Sequence, residues 1–270
     1  MVRTRIALTW AAGLVLAAGA AAVADEPKST VPPDAVFKAN ALVGIPFRNA
    51  NNETLGKLTD LVVDDQGQIV YGVMSHGGVV GVGDKLFAVP PEALKTLGDV
   101  PNHPNQKAFF LSVSKATLDT QPGFNEKNYP TTPDPIFEKT DKANTTVRRT
   151  ATTSDMKMYR LKALERTPVR NQAGEDLGKV RDFGVNLHDA KVVFAEFGYG
   201  GTARIGEKYF AFPWKAAELK SLTGKPSEVA FVVHVSKQTL DSSPGIGKNG
   251  FPSDADLRMF VHDTGRKDEK

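Results

Sequence analysis

The sequence predicts a mainly β protein: two small β-barrels in tandem, each followed by a short helix and joined by a flexible linker. Three observations carry this. Four sequence blocks recur in the same order at a spacing of about 122 residues. Within each copy, short runs rich in Val, Leu, Ile and Phe alternate with turns rich in Gly, Pro and Asp. The 270 residues include 24 Gly and 17 Pro, which suits many short strands better than long helices.

The repeat is read block by block. Ala41-Leu42-Val43-Gly44-Ile45-Pro46-Phe47-Arg48-Asn49 answers Ala163-Leu164-Glu165-Arg166-Thr167-Pro168-Val169-Arg170-Asn171. Leu55-Gly56-Lys57 with Asp60 answers Leu177-Gly178-Lys179 with Asp182. Gly83 to Pro90 answers Gly206 to Pro213, and Val113 to Asp119 answers Val235 to Asp241. The spacing changes by one residue midway, and a single-residue insertion is expected near the Gly-rich turn.

In the first copy, residues 58–64 read as a strand and Asp64-Asp65-Gln66-Gly67 as a turn with Gly67 at the φ > 0 position. Residues 69–74 form the returning strand. Residues 86–89 are a short strand that stops at Pro90, which has no N–H to give a ladder. Residues 108–113 are a further strand, Ser114 is an N-cap, and residues 115–119 are a short helix. The second copy repeats the plan with strands over 191–197, 209–212 and 229–235. The divisions expected are a signal peptide over 1–24, a first repeat over 37–130, a linker over 131–155, a second repeat over 156–252 and a polar tail over 253–270.

Arg3 and Arg5 precede an uncharged run from Ile6, and Ala22-Val23-Ala24 is a small-x-small cleavage signature. This is the pattern of a secretory signal peptide cut after Ala24, and it gives a periplasmic or secreted address. An uncleaved anchor is the competing reading, and both put the repeats outside the cytoplasm. The formal charge of +3 includes those two arginines, so the rest of the chain offers no field to steer nucleic acid. There is no cysteine, which removes disulfides, thiolate metal sites and thiol nucleophiles.

No catalytic, cofactor-binding or metal-binding residue is nominated. The Gly-rich segment from Gly77 lacks the Gly-Lys-Ser/Thr ending of a phosphate loop and reads as a hairpin turn. His76, His103, His188, His234 and His262 form no i,i+4 pair, and none is expected to have a counterpart in the other copy. Asp60 and Asp182 recur, and residues shared by both copies are expected to hold up the shared fold, here by bonding nearby backbone N–H groups or the adjacent lysine. Aromatic side chains are the better lead: Phe124, Tyr129, Trp214 and Phe251 lie in irregular Pro- and Gly-rich segments, where interface anchors occur. Trp214 is expected to cap a barrel or pack between the two.

The ordered blocks resemble the PRC-barrel domain family. The matching features are the Leu-Val-Gly-Ile-Pro opening at Leu42, the Leu-Gly-Lys triplet with its following Asp, and an aliphatic strand ending in Pro before a short helix. The Ser114 to Phe124 and Ser236 to Ile246 endings look like those of exported bacterial members. The resemblance implies a small all-β barrel used for docking and implies no catalytic residue. Relatives include the extramembrane domain of the photosynthetic reaction-centre H subunit and the C-terminal domain of a ribosome-maturation factor. The former makes a reaction-centre-associated role a remote alternative.

The function expected is therefore that of a non-enzymatic exported binding or scaffold protein, bound to another envelope protein. Peripheral membrane contact, and barrels packed on each other as a pseudo-symmetric pair, are part of that expectation. The alternative is a small-ligand or cofactor-binding periplasmic protein with its site between the barrels. Function specific to one copy is expected where the copies differ, at residues 77–82 against 199–205 and in the linker.

Overall fold

The computed structural model describes residues 31–77, 84–101, 103–137, 157–200, 206–222, 225–247 and 250–261. The expected signal peptide, the Gly-rich turn beyond Gly77, His262 and most of the expected linker lie outside the described residues.

The first half contains β1 (Val36–Lys38), α1 (Ala39–Leu42), β2 (Pro46–Arg48), β3 (Thr54–Asp64), β4 (Ile69–His76), β5 (Lys85–Val89), α2 (Pro91–Leu94), β6 (Gly98–Val100), β7 (His103–Phe110) and α3 (Lys115–Thr120). The second half repeats the order, with β8 (Met158–Arg160), α4 (Leu161–Leu164), β9 (Pro168–Asn171), β10 (Asp176–Asn186), β11 (Lys191–Tyr199), β12 (Lys208–Pro213), β13 (Ala217–Leu222), β14 (Lys225–Val233) and α5 (Lys237–Ser242). A last helix, α6 (Asp254–Arg258), follows.

Two seven-stranded sheets result. In the first the order is β5-β4-β3-β2-β7-β6, and in the second β12-β11-β10-β9-β14-β13. The two expected barrel modules are present, one sheet to each, and neither sheet closes on itself. The β5 edge is instead shielded by one bridge from the chain after α3, Leu86 to Phe124, and Tyr209 to Ile246 does the same for β12.

The seventh strand of each sheet comes from the other half. β1 pairs antiparallel with β10, placing Phe37 opposite Val185. β8 pairs antiparallel with β3, placing Tyr159 opposite Val63. The reason lies in the long central strands. β3 pairs with β4 along one side, but on the other side β2 reaches only its first part, around Phe47 opposite Gly56. The remaining edge of β3 would stand open, and β8 fills it. β10 is served in the same way by β9 and β1. The two halves are therefore modules joined by reciprocal strand exchange.

The hairpin tips also meet. The Ile69 N–H donates to the Ala190 carbonyl at 2.7 Å, and the Val192 N–H donates to the Gly67 carbonyl at 2.8 Å. Val63 pairs with Ile69 and Val185 with Val192, so the second hairpin carries one more residue in its turn. The single-residue insertion thus falls at this tip and not in the Gly-rich turn. With it placed there, Gly67 and Ala190 correspond, both at positive φ, and the two hydrogen bonds are related by pseudo-twofold symmetry.

One hydrophobic cluster runs through both modules, from Phe47, Leu58 and Phe109 to Phe183, Phe197 and Phe231. The chain ends of each module feed it. Phe137 meets Phe87 edge to face with ring centroids 6.4 Å apart, and the buried Phe260 meets Phe197 at 5.9 Å. The Asp134 carboxylate accepts the Ala88 N–H at 2.7 Å. Residues 131–137 of the expected linker and 254–261 of the expected tail are therefore packed parts of the modules.

Candidate interaction site

The exchanged segments are gripped by side chains that both copies share. Register shifts in β3 between Leu58 and Asp60, and in β10 between Val180 and Asp182, are bulges that re-aim the carboxylates. Asp60 Oδ1 accepts the N–H of Leu61 at 2.8 Å and that of Lys162 at 3.1 Å. Asp182 Oδ1 accepts the N–H of Phe183 at 2.7 Å and that of Asn40 at 3.2 Å. Lys162 and Asn40 stand in the first turns of α4 and α1, neither of which has a side-chain cap from its own N-cap residue. Each aspartate thus caps the other module's helix, taking a donor the helix itself leaves unpaired. The expectation that these residues bond backbone N–H groups holds, but half of those groups belong to the opposite repeat.

A cation on each exchanged strand completes the grip. Arg160 Nε donates to Asp60 Oδ2 at 2.9 Å, and its guanidinium lies 4.5 Å from the centroid of the Tyr129 ring. Lys38 pairs with Glu196, and its ammonium lies 5.2 Å from the Phe194 centroid and 5.3 Å from that of Phe251. A cation over an aromatic face is attracted by the ring quadrupole. Burial is the larger influence on Asp182 and raises its pKa above the ordinary carboxylate range, while the backbone donors and Lys38 oppose this. Glu165, beside α4, is raised first by burial and then by the nearby charges of Asp182 and Asp60.

The four aromatics named from sequence are now placed. Trp214 is buried between the modules, where its Nε1 donates to the Asp65 carbonyl at 3.1 Å. Its ring lies over Gly67, where any Cβ would come within 2.6 Å of it, so both the positive φ of +80° and this contact require glycine. Phe124 and Tyr129 pack edge to face at 5.1 Å, both half-buried, and cover the outer face of the first sheet around Tyr71, whose hydroxyl donates to the Pro130 carbonyl. Phe251 corresponds to Tyr129. It meets Phe194 at 6.5 Å, yet it remains 52% exposed.

Elsewhere the copies differ in matched sets. His76 is buried between the Leu55 carbonyl and Asp119, its Nε2 2.9 Å from Asp119 Oδ1. At the corresponding place in the second module the Tyr199 hydroxyl donates to Asp241 at 2.6 Å and its pKa is pushed up to about 12, first by burial and then by that carboxylate. His76 therefore does have a structural counterpart, of another residue type. Ser75 donates to Asp84 at 2.7 Å in the first module. The second module has Gly198 instead, which leaves room for the longer Glu207 to pair with Arg181. His234 lies just beyond β14 and not within a strand, with its Nε2 2.9 Å from Gln172 Nε2. Among the described residues, no three His, Asp or Glu side chains gather where they could hold a metal ion.

A family model, the PRC-barrel domain, matches the chain twice, over residues 34–100 and 156–228. The chain belongs to the PRC-barrel family. Each match includes the leading strand and helix that the structure exchanges, so the PRC-barrel unit in sequence and the packed unit in space differ by that segment. The tandem PRC-barrel arrangement drawn from the repeat is thereby established. A search of curated proteins finds no match.

The leading segments are what sequence reading missed. Val36-Phe37-Lys38 answers Met158-Tyr159-Arg160 at the same spacing as the blocks downstream. Extending the repeat a few residues upstream would have found an aromatic followed by a cation in both copies. It would not have shown that each serves the other module.

Proposed function

We propose that the chain is a non-enzymatic, exported binding or scaffold protein that presents its PRC-barrel modules to another protein of the cell envelope. The observation that carries this reading is the contrast between Tyr129 and Phe251. The shared polar residues Asp60 and Asp182 are occupied in holding the modules together, and Tyr129 is half-buried under Arg160. Its counterpart Phe251 is held in place by Phe194 and Lys38 but keeps half its surface in solvent. A fixed, exposed aromatic is the usual anchor of a protein interface. The junction between modules, where a small-ligand site was the alternative, is occupied by Trp214 against Gly67 and by the crossed hairpin tips.

A photoreactive residue placed at position 251 tests this in the host's envelope fraction. A discrete adduct at 251, absent when the probe replaces exposed Lys220, is the expected result. Equal, diffuse labelling at both positions overturns the reading.

A further inference from the structure

The interface between the two modules is self-complementary. Every element on one side recurs on the other: an exchanged strand, an aspartate capping the helix that follows it, a cation on an aromatic ring, and a backbone hydrogen bond at the hairpin tip. All of these contacts join residues 31–137 to residues 157–261. Nothing in them distinguishes a donor segment of the same chain from that of another copy. What favours the same chain is the covalent connection between the modules, which makes their pairing intramolecular and raises its effective concentration, to about the millimolar range for linked modules in general.

We propose that this interface also joins two copies of the chain: the first module of one copy pairs with the second module of the other, and conversely, giving a closed, module-exchanged dimer. β1 of one copy then lies on β10 of its partner, with Asn40 capped by the partner's Asp182. The partner is a second copy because the acceptor edge reads a strand of this register and the Lys38 charge that follows it, which only the same sequence supplies in full. The inference does not rest on the reading of Phe251 as an anchor for another protein: that reading uses the exposed part of the ring, whereas the exchange uses only its contact with Lys38.

The absence of cysteine permits a direct test. Val36 and Asn186 are Cα partners in the β1–β10 ladder. A chain carrying both Val36→Cys and Asn186→Cys should close an internal disulfide on oxidation. Two differently tagged chains, one with Val36→Cys and the other with Asn186→Cys, are then refolded together at about 1 mM, where intermolecular pairing rivals the tether. The expected product is a disulfide-linked dimer bearing both tags, on the order of tenfold above that from Val36→Cys mixed with Lys220→Cys. Closure of the internal disulfide without a linked dimer above the Lys220 control overturns the proposal. Failure of the internal disulfide to form overturns the strand register on which it stands.

Discussion

Asp60 gathers the Leu61 and Lys162 N–H groups and the Arg160 guanidinium on one nearly buried carboxylate. Removing it strands those donors, and breaking a buried charge pair costs more than the pair itself contributes. Asp60→Ala is expected to lower the unfolding free energy by about 2–4 kcal/mol in urea titration, combining the lost pair with the lost helix cap. Arg160→Ala should cost less, because its side chain reaches solvent. The two together should cost clearly less than their sum. Additive effects would show that Asp60 does not act on the exchanged segment through Arg160. Recurrence of Asp60 and Asp182 was legible in the sequence and rightly marked them as structural. Their reach across modules was not, because the groups they bind in the other module lie 100 or more residues away in the chain.

Among elements, the hairpins were the most readable. β3 with β4 and β10 with β11 carry dense runs of Val, Leu and Phe around a turn of known chemistry, and Gly67 sits at φ +80° as expected. Ser114 caps α3 by accepting the Thr117 N–H, also as read from sequence. β1 and β8 were not readable: a three-residue strand has no alternation to detect, and it forms only because a distant edge lacks a partner. Whether each barrel-like sheet closes on itself was not legible for a related reason. Strand count and turn spacing limit the architecture, but whether the last strand returns to the first depends on shear and twist, which composition does not encode.

The turn after α4 carries a difference between copies that can be measured. Glu165 stands where the first copy has Val43, and burial together with Asp182 and Asp60 raises its pKa, with Lys162 and Arg166 opposing. A carboxyl raised in the folded state favours the protonated form. Its charge therefore lowers stability above the raised value, and this penalty fades as the pH falls through it towards the ordinary Glu range. Glu165→Gln is expected to melt about 1–2 °C higher than the parent at pH 7. The gap should close as the pH is lowered through the raised value towards the ordinary Glu range. A gap independent of pH would show that the carboxylate charge is not its cause.

For the whole molecule, the continuous core and reciprocal exchange mean that the modules hold together without the chain that joins them. A protease site introduced within residues 138–156 and then cut should leave two fragments that co-elute as one species of the parent's size. Asp60→Ala with Asp182→Ala should shift the cut protein towards separate or unfolded fragments at micromolar concentration, while the uncut double variant stays together through its tether. Separation of the cut parent would place the stability of the assembly in the connection and not in the interface.

The exchange of β1 and β8 bears also on how such a gene can change. A substitution in the leading strand of one repeat is felt in the sheet of the other, so the two halves inherit each other's mutations and must drift in concert. Loss of either repeat by recombination would leave the survivor with an open edge on its central strand and a strand of its own with nowhere to lie.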